Sequence, residues 1–208
     1  MRAWAVVPVK RFDQGKSRLG EILDDDARSE LSRGMFDRVV GKILAPLVAT
    51  GELAGTLVVT DGEGVAERAR ALGAEALVSP GVGPQRPLGA VVDEALALLA
   101  ARGAGAADAA LVIMGDLPSL EAADVRALAA LLEGHDLVLA PDAAGTGTNA
   151  LALWLPAPMP TRFRGGESLA DHVADARALG LRLAFCERPG LGFDVDQPED
   201  YERLRVAD

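Results

Sequence analysis

Five short β-rich runs, at residues 3 to 9, 55 to 60, 109 to 114, 136 to 140 and 150 to 155, are separated for the most part by stretches of helical period. This alternation restricts the chain to an α/β architecture, a mostly parallel sheet with right-handed crossovers and helices on its faces. Helices are expected at 26 to 48, 64 to 72, 89 to 102, 121 to 132, 168 to 179 and 198 to 205. The first is amphipathic, with Leu31, Met35, Val39 and Ile43 at spacings of four and Asp24, Asp25 and Asp26 at its dipole-favoured start. The last opens with Pro198 in a first-turn position. Half of the residues are hydrophobic but only 4% are aromatic, so the core must be built from Ala, Val and Leu, which suits parallel strands buried on both faces. Ligands of such sheets collect beyond the carboxyl ends of the strands, and chemistry-bearing residues are expected there.

The 208 residues fit a single domain, 1–208, with no internal repeat and no dividing linker. The alanine-rich stretch Ala104 to Ala110 is read as a flexible connection. A net charge of -10 and a pI near 4.7 repel nucleic acid and anionic membranes on average, so an anionic ligand must be small and met by local cations or metal. The apolar N-terminal stretch is broken by Pro8 and Lys10, far too short for a secretory or membrane segment, and a cytoplasmic location is expected. A single cysteine, Cys186, fits a reducing compartment and is read as core filling.

Three segments carry candidate chemistry. After the first strand, Lys10, Arg11, Lys16 and Arg18 place four cations in nine residues of an acidic protein, where a triphosphate could be neutralised. Gly15-Lys16-Ser17 lacks the upstream glycine of a P-loop, and a solvated basic loop is the plainer alternative. The apolar run Leu111 to Met114 ends in Gly115-Asp116-Leu117-Pro118, where a carboxylate could hold magnesium against phosphate oxygens or simply serve a turn. In Phe193-Asp194-Val195-Asp196-Gln197-Pro198, two carboxylates two residues apart project to one face of an extended segment. They could share a metal, or Asp196 could cap the helix starting near Pro198.

Two glycine-bearing loops, Gly145 to Asn149 and Arg164 to Ser168, offer backbone amides and hydroxyls for a phosphate or carboxylate, or are ordinary turns with a serine cap. His135 and His172 are isolated and are read as surface residues of a helix or loop. There is neither a Gly-x-Ser-x-Gly elbow nor a cysteine cluster, so histidine-based catalysis and structural zinc are not expected.

Taken in order, Val7-Pro8-Val9-Lys10 with Lys16-Ser17-Arg18-Leu19, Gly115-Asp116-Leu117-Pro118, Gly147-Thr148-Asn149, Gly165-Gly166-Glu167-Ser168 and Phe193 to Pro198 make nearly the whole chain resemble the 2-phospho-L-lactate guanylyltransferase family of deazaflavin coenzyme F-420 biosynthesis. The resemblance implies a three-layer α/β/α nucleotidyltransferase fold similar to the glycosyltransferase-A type, with GTP as substrate and Mg2+ as cofactor. The acceptor would be 2-phospholactate, phosphoenolpyruvate or 3-phosphoglycerate. By position it implies metal ligands Asp116, Asp194 and Asp196, and catalytic roles for Asp116, Lys16 and Lys10. Nucleotide contacts would come from Pro8, Lys10, Lys16, Ser17, Arg18, Gly89 and Asp116, and acceptor contacts from Thr148, Asn149, Gly165, Gly166 and Ser168. Where the family pattern has Gly-Leu-Asn, this chain has Arg86-Pro87-Leu88-Gly89-Ala90, so base recognition does not follow from these residues.

The implied chemistry is in-line attack of an acceptor phosphate oxygen on the nucleotide α-phosphorus, with pyrophosphate leaving. A phosphomonoester is already largely ionised at neutral pH, so the reaction needs no general base. The rival readings are a molybdopterin nucleotidyltransferase or a sugar transferase on the same scaffold, or a non-catalytic nucleotide binder. A homodimer is the expected assembly, with small-molecule substrates and no nucleic-acid or membrane partner.

Overall fold

The computed structural model describes residues 1–79, 87–103, 108–163 and 167–207. Its strands are β1 (Ala3–Val9), β2 (Gly55–Thr60), β3 (Glu75–Val78), β4 (Ala109–Ile113), β5 (Leu137–Pro141), β6 (Thr148–Trp154) and β7 (Leu183–Phe185). They form one sheet in the order β3-β2-β1-β4-β6-β5-β7, with β6 antiparallel to both of its neighbours and every other pairing parallel. The mostly parallel sheet expected from the strand–helix alternation is therefore what forms.

Alternation along the central strands sorts side chains into two cores. Ala3, Ala5 and Val7 of β1 and Ala109, Leu111 and Ile113 of β4 face one way; Trp4, Val6, Ala110 and Val112 face the other. The first face is covered by helix α1 (Asp25–Phe36), its π-helical continuation Asp37–Leu44, α2 (Ala45–Ala49), α3 (Glu63–Ala71) and α5 (Ala122–Leu132). The second is covered by α4 (Leu88–Ala100) and α6 (Ser168–Ala178), giving three layers. The helix expected at 26 to 48 is continuous, but its middle is wound as a π-helix. The wider turn keeps Phe36, Val40 and Leu44, four residues apart, on the buried face. Asp24 caps its start by accepting from the Ala27 amide at 2.8 Å.

A third, smaller core does the positioning that matters for function. Leu19, Met35 and the fully buried Val195 pack with Phe193, Tyr201 and Leu204, which docks the C-terminal segment that follows α7 (Pro189–Gly192), together with α8 (Pro198–Ala207), against the basic loop and α1. Of the Ala104 to Ala110 connection, residues 104–107 lie outside the described residues, and Ala109 and Ala110 already belong to β4. No helix among the described residues is long and apolar enough to cross a membrane.

Candidate active site

The strand order reverses between β1 and β4, the position where open α/β sheets leave a crevice. Here the two strands part: β1 stays paired with β2 through Val9, but with β4 only through Val6. Pro8, which has no N–H to contribute to a ladder, sits in the stretch with a single paired neighbour. The cleft beyond this divergence has a volume of about 350 Å³, within the usual range for small-ligand sites. Pro8, Lys10, Lys16, Ser17, Arg18 and Asp116 line it together with Asp196, so most of the nucleotide-site residues expected from sequence converge. Gly115 is held at the cleft floor, where a Cβ would lie 2.7 Å from Val9 Cγ2.

Lys16 is the centre of the arrangement. It adopts a left-handed backbone (φ 54°), the only non-glycine residue with positive φ among those described, and its side chain is only 6% exposed. Its ammonium donates to Asp116 Oδ2 and, at 2.9 Å, to Asp196 Oδ1. Burial opposes the charged ammonium, but the two carboxylates outweigh it and hold Lys16 above its ordinary value. Arg18 lies 4.0 Å from the second oxygen of Asp196 and is largely exposed. Arg11 is committed to Asp13 at 2.6 Å, whereas Lys10 is exposed and makes no ion pair among the described residues. Lys10 and Arg18 are therefore the cations turned toward an incoming anion.

Burial of Val195 sends Asp194 and Asp196 to the opposite face, as their spacing predicts. The alternative role for Asp196 as a helix cap does not occur. Asp200 Oδ2 instead accepts from the amides of Asp196 (3.1 Å) and Gln197 (2.8 Å), which leaves the Asp196 carboxylate to Lys16. Burial, reinforced by the negative charges of Asp116 and Asp196, pushes Asp194 up to about 6, against the opposing pull of Asn149 and Lys16. No group of three or more potential ligands is drawn together as a metal site among the described residues. The ammonium, rather than a common point for three carboxylates, organises Asp116 and Asp196. The donor chemistry still fits magnesium, because two hard carboxylate oxygens already converge on one cation beside a third carboxylate.

The acceptor-site residues sit deeper. Asn149 is buried, and its amide donates to Asp194 Oδ1 at 3.3 Å and to the Gly192 carbonyl at 3.4 Å, so it orients a carboxylate of the site. Thr148 and Ser168 are buried at the start of β6 and α6. Gly165 and Gly166 lie outside the described residues, as does Arg86. Gly89 is buried at the second position of α4, where a Cβ would lie 2.5 Å from the Thr161 carbonyl oxygen. Its amide donates to the Phe163 carbonyl at 3.1 Å. The glycine lets α4 approach the 161–163 segment, and the neighbouring Leu88 is the residue that reaches the cleft.

Both histidines were expected at the surface, and His172 overturns this, being fully buried. Its place on the buried stripe Ser168, His172 and Ala176, at spacings of four, is the sequence signal that finds it. His135 is half-buried with Nδ1 2.7 Å from the Leu131 carbonyl. Cys186 is buried core, as expected, and burial pushes its thiol up. Asp142 was not singled out by sequence; its carboxylate accepts from the Thr146 and Gly147 amides, each at 2.9 Å, and shapes the loop leading to Thr148.

The chain and its fold are similar to known proteins. The chain is 41% identical, over 100% of its own length and 95% of the relative's, to the phosphoenolpyruvate guanylyltransferase of Rubrobacter xylanophilus. It is 32% identical to the 2-phospho-L-lactate guanylyltransferase of Methanothermobacter thermautotrophicus, over 96% of this chain and 82% of that one. The fold also matches glucosyl-3-phosphoglycerate synthase from Mycobacterium tuberculosis, solved with Mn2+, uridine-diphosphate-glucose and phosphoglyceric acid, at a TM-score of 0.63 and 18% identity, over 99% of this chain and 76% of that one. Residues 3–206 match the family model described as "Guanylyl transferase CofC like", and the chain belongs to that family.

Proposed function

We propose that the chain, as a single nucleotidyltransferase domain spanning 1–208, transfers GMP from GTP to a small phosphorylated carboxylic acid and releases pyrophosphate, in deazaflavin coenzyme F-420 biosynthesis. Phosphoenolpyruvate is the first acceptor to test, by similarity to the Rubrobacter relative. The observation that carries this reading is the convergence of Asp116 and Asp196 on the Lys16 ammonium at the β1/β4 crevice, within an otherwise acidic protein. A guanylyltransferase is favoured over a molybdopterin nucleotidyltransferase, a sugar transferase or a non-catalytic binder by the family match over almost the whole chain.

Lys10 and Arg18, at the open side of the cleft, would meet the nucleotide phosphates, and the main chain near Pro8 and Ser17 would wall them. Asp116, Asp194 and Asp196 would hold Mg2+, which when bound offsets charge on the phosphates and the leaving pyrophosphate. An ionised phosphate oxygen of the acceptor forms a bond to the α-phosphorus as the bond to the pyrophosphate oxygen breaks, and no proton moves. The work left to the protein is alignment of two anions and compensation of their charge. Lys16 supplies a buried cation whose charge persists at all physiological pH values.

Pyrophosphate release and the mass of the adduct, measured with GTP, ATP or CTP against phosphoenolpyruvate, 2-phospholactate and 3-phosphoglycerate, test the proposal. An adduct of GMP with one acceptor, abolished by chelation of the divalent cation, is the expected result. No adduct from folded, metal-supplied protein with any pair overturns it. A homodimer is proposed for the assembly, and sedimentation of the purified chain gives its mass directly.

A further inference from the structure

His172 lies outside the cleft chemistry described above, yet it joins three segments of the molecule. Its Nε2 accepts the Arg162 amide N–H at 2.8 Å, and its Nδ1 faces Thr148 Oγ1 at 3.1 Å. Its ring packs edge-on against Phe163, with centroids 5.0 Å apart. A nitrogen that accepts from a backbone N–H must present its lone pair, so the ring proton belongs on Nδ1. The Nδ1–H is met by both the Thr148 hydroxyl and the Ser168 backbone carbonyl, so the hydroxyl cannot donate to the ring and its own proton is turned to another group; among the described residues it makes no second hydrogen bond.

The surroundings are built to hold that orientation. Thr161 is fastened to α4, its amide and hydroxyl donating to Asp93 Oδ1 at 2.8 and 2.9 Å. The Arg162 side chain pairs with Asp175 on α6. The Leu169 amide donates to the Thr146 carbonyl at 3.0 Å, tying the start of α6 to the loop shaped by Asp142. The loop before Thr148 and the start of α6 at Ser168 are thus braced against each other through one imidazole.

We infer that His172 is a positioning residue for acceptor binding, holding the Thr148 hydroxyl as a hydrogen-bond donor to an anionic acceptor and tying Arg162 to α6, which begins at Ser168. The inference rests on the proposed role of Thr148 and Ser168 at the acceptor. A carboxylate or phosphate can only accept hydrogen bonds, so a hydroxyl fixed as a donor suits it, and one free to present its lone pairs does not. Burial drives His172 down to about 4, with the Ser168 backbone and the carboxylates of Asp171 and Asp175 opposing, and this keeps the ring neutral at physiological pH.

The test compares His172→Gln, whose carbonyl can still take the Arg162 amide but which presents no donor at the Nδ1 position, with His172→Asn, which can restore that donor. Thr148→Val and Thr148→Ser are measured beside them. With an acceptor that the wild type uses, His172→Gln and Thr148→Val are expected to raise the acceptor KM by about ten-fold to a hundred-fold, the scale of a hydrogen bond to a charged group. The GTP KM should stay within about two-fold of wild type, and His172→Asn and Thr148→Ser should recover most of the loss. If Thr148→Val leaves the acceptor KM unchanged, the acceptor-site reading fails. If Thr148→Val raises it and His172→Gln does not, the inference about His172 fails alone. Long-range 15N correlation spectra of the wild type give a readout independent of turnover and of any variant's folding: a neutral ring protonated on Nδ1 at pH 7 is expected, and an Nε2-protonated or cationic ring overturns the inference.

Discussion

Replacing Lys16 by methionine removes one charge while keeping a side chain of similar length and apolar stem. In the folded protein the ammonium donates to two carboxylates, and each hydrogen bond between charged groups contributes about 1.5–3 kcal/mol. Burial of the ammonium works against that gain, and the methionine escapes this cost. The carboxylates left behind are not sealed off, since the side chains of Asp116 and Asp196 are 34% and 49% exposed, so water can take over part of the lost interaction. The net loss should therefore fall below the roughly 3–5 kcal/mol of a fully buried broken pair, at about 1–3 kcal/mol. For a chain of this size that is a fall in melting temperature of roughly 2–12 °C. The folded-state value of Lys16 is raised, so its contribution is fully present below the ordinary lysine value of 10.5 and is lost only as pH rises through the higher folded value. Thermal unfolding at neutral pH with chelator is the assay. Lys10→Met is the control, because Lys10 is exposed and unpaired among the described residues, and it should move stability by less than about 0.5 kcal/mol. A Lys16→Met protein that melts at or above the wild-type temperature refutes the reasoning, as does an equal fall in the control.

Asp116→Asn should keep wild-type secondary structure by circular dichroism and lose about a hundred-fold or more in kcat, because the amide keeps the shape but cannot supply the charge expected of a metal ligand. Asp200→Ala removes the acceptor for two amides at the start of α8 and should cost about 1 kcal/mol in urea unfolding, with a rise in GTP KM as Asp196 loses its orientation. His172, held down to about 4 from 6.5, makes the unfolded chain bind more protons between those values. Stability attributable to it is present above pH 6.5 and lost as pH falls toward 4, about 3 kcal/mol in all, and His172→Gln should flatten that limb of the stability profile.

The layered sheet was legible because its central strands are buried on both faces and read as continuous apolar runs. β3 and β7 were not, because Glu75–Val78 and Leu183–Phe185 are short, partly exposed edge strands whose apolar runs of three residues are too brief to stand out from the flanking segments. The antiparallel setting of β6 could have been read from length: only residues 142–147 separate it from β5, too few for the crossover that a parallel neighbour requires. The expected surface position of His172 fails for a different reason: the residue has no chemical partner nearby in sequence, yet it lies four residues from both Ser168 and Ala176, with which the fold buries it.

The same contrast separates what sequence can say about the site from what it cannot. The spacing of Asp194 and Asp196 fixes their common face whatever the rest of the chain does, because period two is a property of extended backbone. Which carboxylate caps α8 is decided by a contest among nearby groups, and Asp200 wins because its side chain reaches back to the amides of Asp196 and Gln197. Asp196 is thereby released to pair with Lys16, 180 residues away. Docking of Val195 into the small core with Leu19 and Met35 makes that meeting possible, because it carries the C-terminal segment to the basic loop. A polar change at Val195 would therefore separate Asp196 from Lys16 without altering any residue that lines the cleft, and local motif reading cannot register that dependence.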